Sequence, residues 1–204
     1  MVLSIFDYSN KIRDSFLANG IKCKSLDIMP GHKGNLVDIC IDILDFDYKV
    51  YSPDHIKFLF IALPCHCYSI ASGGKHFKNS RPLTPQAYNS INIMIKIWQI
   101  IKYFDCPFII ENPSGGLCNN SFFNSFFNLN ITRLTLSNFG FPTQKKTDLF
   151  YNFDMLLLVP VTYRVNKRYQ RVKLDNLTYR KRVTYPDHFV TWLISNIIAN
   201  INLH

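Results

Sequence analysis

Residues 56–72, IKFLFIALPCHCYSIAS, decide the fold. An almost wholly apolar run stops at Pro64, and the first residue beyond the break is a potential nucleophile, Cys65. A short apolar run bounded by turn residues is the pattern of a strand buried on both faces. The pattern recurs downstream, where Cys106–Ile110 ends in the apolar run PFII and stops at Glu111-Asn112-Pro113. Between the two lies Pro85–Phe104, PQAYNSINIMIKIWQIIKYF, with Ile91, Ile95, Trp98 and Ile101 at helical spacing. Thr84 suits its N-cap and Pro85 its first turn. A strand, a crossover helix and a second strand make a parallel pair, and neighbouring strands lie about 5 Å apart. Cys65 and Glu111 are therefore expected side by side on the carboxyl edge, where open α/β sheets bind ligands.

The chain before this unit reads in the same way. Val2–Phe6 is a β-prone run, Asp7-Tyr8-Ser9-Asn10 a polar turn, and Ile12, Phe16 and Leu17 mark a helix that Gly20 closes. Ile21–Ile28 alternates as a second strand ending in Asp27, an acid placed to bind ribose hydroxyls in parallel α/β folds, and equally a turn acid. Leu36–Ile43 is read as a third strand or its edge, with Asp38 and Asp42 near its end, placed for an adenine amino group. Ser72-Gly73-Gly74-Lys75 marks a flexible loop. Downstream, SFFNSFF reads as helical and Ile131–Leu136 as a strand. Asp148–Phe153 and Leu156–Val161 are extended, and Pro186–Ile201 is a final amphipathic helix.

With 204 residues, 48% hydrophobic and 18% charged, the chain is expected to form one domain, 1–204, with no long disorder. Asp7, Lys11 and Arg13 come too early for a signal-peptide core, and no run reaches the length of a bilayer span. The expected location is the cytoplasm, that of the host if the source is viral, with the nucleus left open. Six cysteines show no paired framework, so reduced thiols are expected. Cys65-His66-Cys67 is dense, but a C-x-C spacing without a second pair is a poor zinc signature, and no metal is expected. The net charge of +9 is uneven. Residues 163–182 hold eight basic side chains against Asp175 alone, with Tyr163, Tyr169 and Tyr179 interleaved. Such a run is usually a solvated face; with aromatics between the cations it is also a candidate nucleic-acid surface.

Four segments in order, VLSIFDYSNKIRDSF with Asp27, then ALPCHCYSIASGG, IIENPSGGL and SNFGFPTQKKTDLF, resemble DNA (cytosine-5) methyltransferases of a compact phage or viral type. The resemblance covers about 150 residues. It implies a Rossmann-like α/β fold, with a mostly parallel sheet and helices on both faces, and S-adenosylmethionine as cofactor. By the same resemblance Cys65 is the nucleophile that adds to cytosine C6 and Glu111 the partner of N3. Phe6, Asp7, Tyr8, Ser9, Asp27, Ile28, Asp42 and Pro64 would line the cofactor. Asn112, Pro113, Gln144, Lys146, Arg164 and Arg168 would face the nucleic acid. His66, Lys75 and His76 are candidates to ease ionisation of the thiol. The chain departs from the family at Asp7–Asn10, which holds no glycine, at Lys146 in place of an arginine, and in lacking a large target-recognition region. The implied substrate is DNA, its target base flipped out of the helix, with RNA as the alternative. A nucleic-acid binder that keeps the fold without catalysis is the rival. Richness in Asn, Ile, Lys and Phe suits an AT-rich genome such as that of a virus or phage.

Overall fold

The computed structural model describes residues 1–32, 34–69, 72–154, 184–201 and 203. Seven strands form one sheet in the order β10-β11-β9-β6-β1-β2-β5. They are β1 (Val2–Ile5), β2 (Cys23–Asp27), β5 (Ile39–Cys40), β6 (Phe58–Ala62), β9 (Phe108–Pro113), β10 (Asn130–Thr135) and β11 (Lys146–Tyr151). From β5 to β9 every pairing is parallel, and β11 runs antiparallel between β9 and β10. Two hairpins, β3 (Gly31–His32) with β4 (Asn35–Leu36) and β7 (Phe77–Lys78) with β8 (Arg81–Pro82), lie apart from it.

The expected βαβ unit is present. Helix α2 spans Pro85–Phe104, and the Thr84 hydroxyl accepts from the Ala87 amide, a cap that stabilises such helices by about 1 kcal/mol. It joins β6 to β9 as parallel neighbours, with Leu59 opposite Phe108 and Ala62 opposite Glu111. Its buried stripe differs from the one expected. Ala87, Ser90, Met94, Ile97, Ile101 and Phe104 face the core, whereas Ile91, Ile95 and Trp98 are half-buried beside it. The helix is apolar over more than half its circumference, so spacing alone did not fix its orientation. Leu36–Ile43 is corrected too: only Ile39–Cys40 joins the sheet, because residues 35–36 fold back in the hairpin.

Side chains alternate across the strands and build two cores. Leu3, Ile5, Leu59, Ile61 and Ile110 pack with α2 and α3 (Ser121–Phe126) on one face. Val2, Phe58, Phe60, Ile109 and Leu149 pack with α1 (Lys11–Ala18) and α4 (Asp187–Asn200) on the other. Helices thus cover both faces, as expected. No helix among the described residues is long and apolar enough to cross a membrane. The expected strand at Leu156–Val161 and the basic stretch 163–182, with Arg164 and Arg168, lie outside the described residues.

Candidate active site

The edge where β6 and β9 end is built from their register. After Ala62 the Leu63 amide still donates to the Glu111 carbonyl at 3.2 Å. Pro64 has no N–H to offer, so the ladder ends there. The chain then turns: the Tyr68 and Ser69 amides both donate to the Cys65 carbonyl, at 3.0 and 2.8 Å. Two tethers hold this turn. The Asn112 side-chain amide donates to the Leu63 carbonyl at 2.8 Å. The Gly116 amide donates to the Tyr68 carbonyl at 2.7 Å, and a Cβ on Gly116 would stand 2.9 Å from that oxygen. Only glycine allows so close an approach of two backbones.

Cys65 is half-buried at this edge and Glu111 is 4% exposed. By register Glu111 shares a sheet face with Ala62 and Leu149, the face covered by α1 and α4. The Tyr185 hydroxyl, delivered from just before α4, donates to Glu111 Oε2 at 2.7 Å. Glu111 Oε1 and Asn112 Oδ1 are buried without a hydrogen-bond partner. Burial pushes the Cys65 thiol above its ordinary pKa, and the charge of Glu111 pushes it in the same direction; Lys145 opposes both. His66 and His76 are engaged otherwise. His76 Nδ1 bonds the Thr84 hydroxyl at 2.8 Å, and the His66 ring stands edge-on to His76 with its pKa lowered by burial. Among the described residues the cation that eases thiol ionisation is Lys145, rather than the expected His66, Lys75 and His76.

Three features here were not singled out in the sequence: Tyr185, Lys145 and the tether at Gly116. Tyr185 adjoins the helix-opening Pro186, Lys145 lies inside the already suspected turn, and Gly116 ends a Ser-Gly-Gly run; none of these signals specifies the long-range partner. Gln144 and Lys146 are exposed, and alternation from Thr147 puts Lys146 on the face opposite Glu111. Pro113 is half-buried at the end of β9. Asp148 is structural: it accepts from Arg133 Nε at 2.8 Å and from the Ser114 hydroxyl, joining β10 to the β9 edge. Between the Cys65 turn and the loop after Glu111 runs a groove of about 520 Å³, lined by Tyr68, Ser69, Phe77 and Gly116 among others.

The second edge is formed by the ends of β1 and β2. Phe6 and Asn10 take left-handed backbone, with φ 64° and 59°. For a bulky residue such as Phe6 this costs about 1–2 kcal/mol, and the Phe6 and Asp7 amides are both held on the Leu26 carbonyl. The loop thus adopts conformations usual for glycine without containing one. Asp7 is buried and accepts from the Ser4 hydroxyl at 3.0 Å and the Arg13 amide at 2.9 Å, while burial lifts its pKa to about 7. Tyr8 and Ser9 are half-buried, and the Tyr8 ring meets His32 edge-on at 4.7 Å. Asp27 accepts from the Met29 amide at 2.9 Å and is reached by the amides of Tyr8 and Ile28, and burial raises its pKa. A carboxylate has about four acceptor positions, so three amides leave room for a hydroxyl. Ile28 beside it is exposed, an apolar surface for a flat ring, and Asp42 accepts from Leu44 N in the turn beyond β5. Acid, apolar plate and close backbone suit an adenosine. Among the described residues no three His, Cys, Asp or Glu side chains form a metal-binding group.

No family model and no curated protein matches the sequence. Solved structures match the fold. The Dnmt2 methyltransferase of S. pombe superposes with TM-score 0.54 at 14% identity, over 87% of this chain and 60% of that one. A protein described as a DNA modification methyltransferase encoded within an E. coli prophage gives 0.52 at 13%, over 74% and 45%. The Entamoeba histolytica methyltransferase EhMeth gives 0.52 at 14%, over 75% and 52%. The chain thus spans about half the length of these proteins and has the Rossmann-like fold of S-adenosylmethionine-dependent methyltransferases.

Proposed function

We propose that the chain is an S-adenosylmethionine-dependent methyltransferase acting on C5 of cytosine in DNA, with Cys65 as nucleophile and Glu111 as acid at N3. The observation that carries this reading is a half-buried cysteine beside a buried carboxyl with one unpartnered oxygen, on the carboxyl edge of neighbouring parallel strands. An unpaired buried acceptor costs about 1–3 kcal/mol, a cost a protein bears where a ligand relieves it. Cys65 Sγ adds to C6, and Glu111 supplies a hydrogen bond or proton at N3 as electron density arrives there. The cofactor, when bound, supplies the electrophilic methyl group that C5 takes up. Loss of the C5 proton then expels Cys65 and restores the aromatic ring. Asp27, Ile28 and Asp42 would hold the adenosine, and Phe6–Asn10 its near side. The groove beside Tyr68 and Phe77 gives a strand room to approach, and residues 163–182 supply cations for its phosphates.

The test is transfer of radiolabelled methyl groups from S-adenosylmethionine to DNA, with RNA assayed in parallel. Label in DNA supports the reading; label in RNA alone moves the substrate. The binder without catalysis is favoured by one observation, the Tyr8 and His32 contact in a glycine-free loop. Salt-sensitive DNA binding without any calorimetric heat from S-adenosylmethionine would decide for it.

A further inference from the structure

The residue that completes this site comes from the far end of the chain. Tyr185 is 7% exposed, with its ring edge-on to Phe60 at 6.3 Å and against Phe189 at 5.4 Å. Its backbone carbonyl accepts from Lys11 Nζ at 2.9 Å, and the same amine pairs with Asp187 in the first turn of α4. The start of α4 is thereby locked onto α1, and the phenol reaches across the sheet face to Glu111. A phenylalanine would pack as well without needing a partner for a buried hydroxyl.

We propose that Tyr185 is a positioning residue for Glu111: its hydroxyl occupies Oε2, fixes the carboxyl's orientation, and leaves Oε1 as the atom that meets the base. This rests on the reading of Glu111 given above. One oxygen held by a buried donor and the other left open gives the carboxyl a single orientation toward whatever enters the edge. Among the described residues, Asp7 after β1 and Cys65 after β6 also act on Tyr185, and Lys145 before β11 acts in turn on Cys65. The phenol thus stands between the two edges of the site.

Tyr185→Phe tests this, because it keeps the ring and removes only the donor. Two readouts apply: the carbon-13 resonance of the Glu111 carboxyl at one pH, assigned by its disappearance in Glu111→Gln, and steady-state methyl transfer. The expected result is a displaced Glu111 carboxyl resonance, with kcat lowered about 10- to 100-fold and KM for nucleic acid little changed. An unmoved resonance and an unmoved kcat would overturn the proposal, as would a loss confined to KM. A wild-type protein that transfers no methyl group, yet shows the Tyr185-dependent displacement of the carboxyl resonance, would refute the assigned chemistry while upholding the pair.

Discussion

The two edges of the site treat their carboxyls in opposite ways, although Asn10 Oδ1 at the first edge is also buried without a partner. At the β1–β2 edge the acids are tied to the chain itself: Asp7 to Ser4 and the Arg13 amide, Asp27 to the Met29 amide, and Asp38 to the Ser25 amide at 2.8 Å. At the β6–β9 edge Glu111 Oε1 and Asn112 Oδ1 are buried with nothing to bond, and the thiol beside them is half-covered. The first edge spends its hydrogen bonds on holding a glycine-free loop in shape. The second keeps capacity in reserve.

The sharpest way to break the comparison is Glu111→Gln. It keeps the shape and the Tyr185 contact but removes the proton, so methyl transfer should fall about 10²- to 10⁴-fold with the fold intact by circular dichroism. Equal loss from Asp27→Asn would show that the edges do not differ in kind. Gly116→Ala comes next. The added methyl meets the Tyr68 carbonyl, and the Cys65 turn must shift; a stability loss of about 1–3 kcal/mol by denaturant titration is expected, with transfer impaired beyond that loss.

Asp7 probes the other edge. Its folded pKa of about 7, raised from 3.8, means that the folded chain retains a proton which the unfolded chain releases. The contribution of Asp7 to stability is therefore fully present below about pH 4 and is lost, by a few kcal/mol, as pH rises to about 7. Asp7→Asn should flatten that decline in thermal melts at a series of pH values. The smallest effect separates two adjacent lysines. Lys145→Ala should slow alkylation of Cys65 by iodoacetamide several-fold, and Lys146→Ala should leave it unchanged, because of these two lysines it is Lys145 that acts on the thiol.

Local patterns carried the fold a long way. Pro64 and Pro113 mark strand ends through missing amide donors, and α2 begins and ends where Thr84, Pro85 and Phe104 placed it. Neighbouring parallel strands followed from one crossover helix, and with them the proximity of Cys65 and Glu111. Interactions between distant segments were not legible. Tyr185 lies 74 residues from Glu111, and nothing in its own neighbourhood specifies a carboxyl partner. The α2 stripe was misjudged because isoleucines occupy more than one face. The backbone of Phe6 was hidden for another reason: its left-handed conformation is imposed by two amides converging on Leu26, against the residue's own preference.

One measurement addresses the central claim most directly: 5-methylcytosine in DNA from cells expressing the folded wild-type chain, beside cells expressing Cys65→Ala. The account predicts the mark with wild type and none with the variant. No mark from folded wild type, or an equal mark from Cys65→Ala, would contradict it.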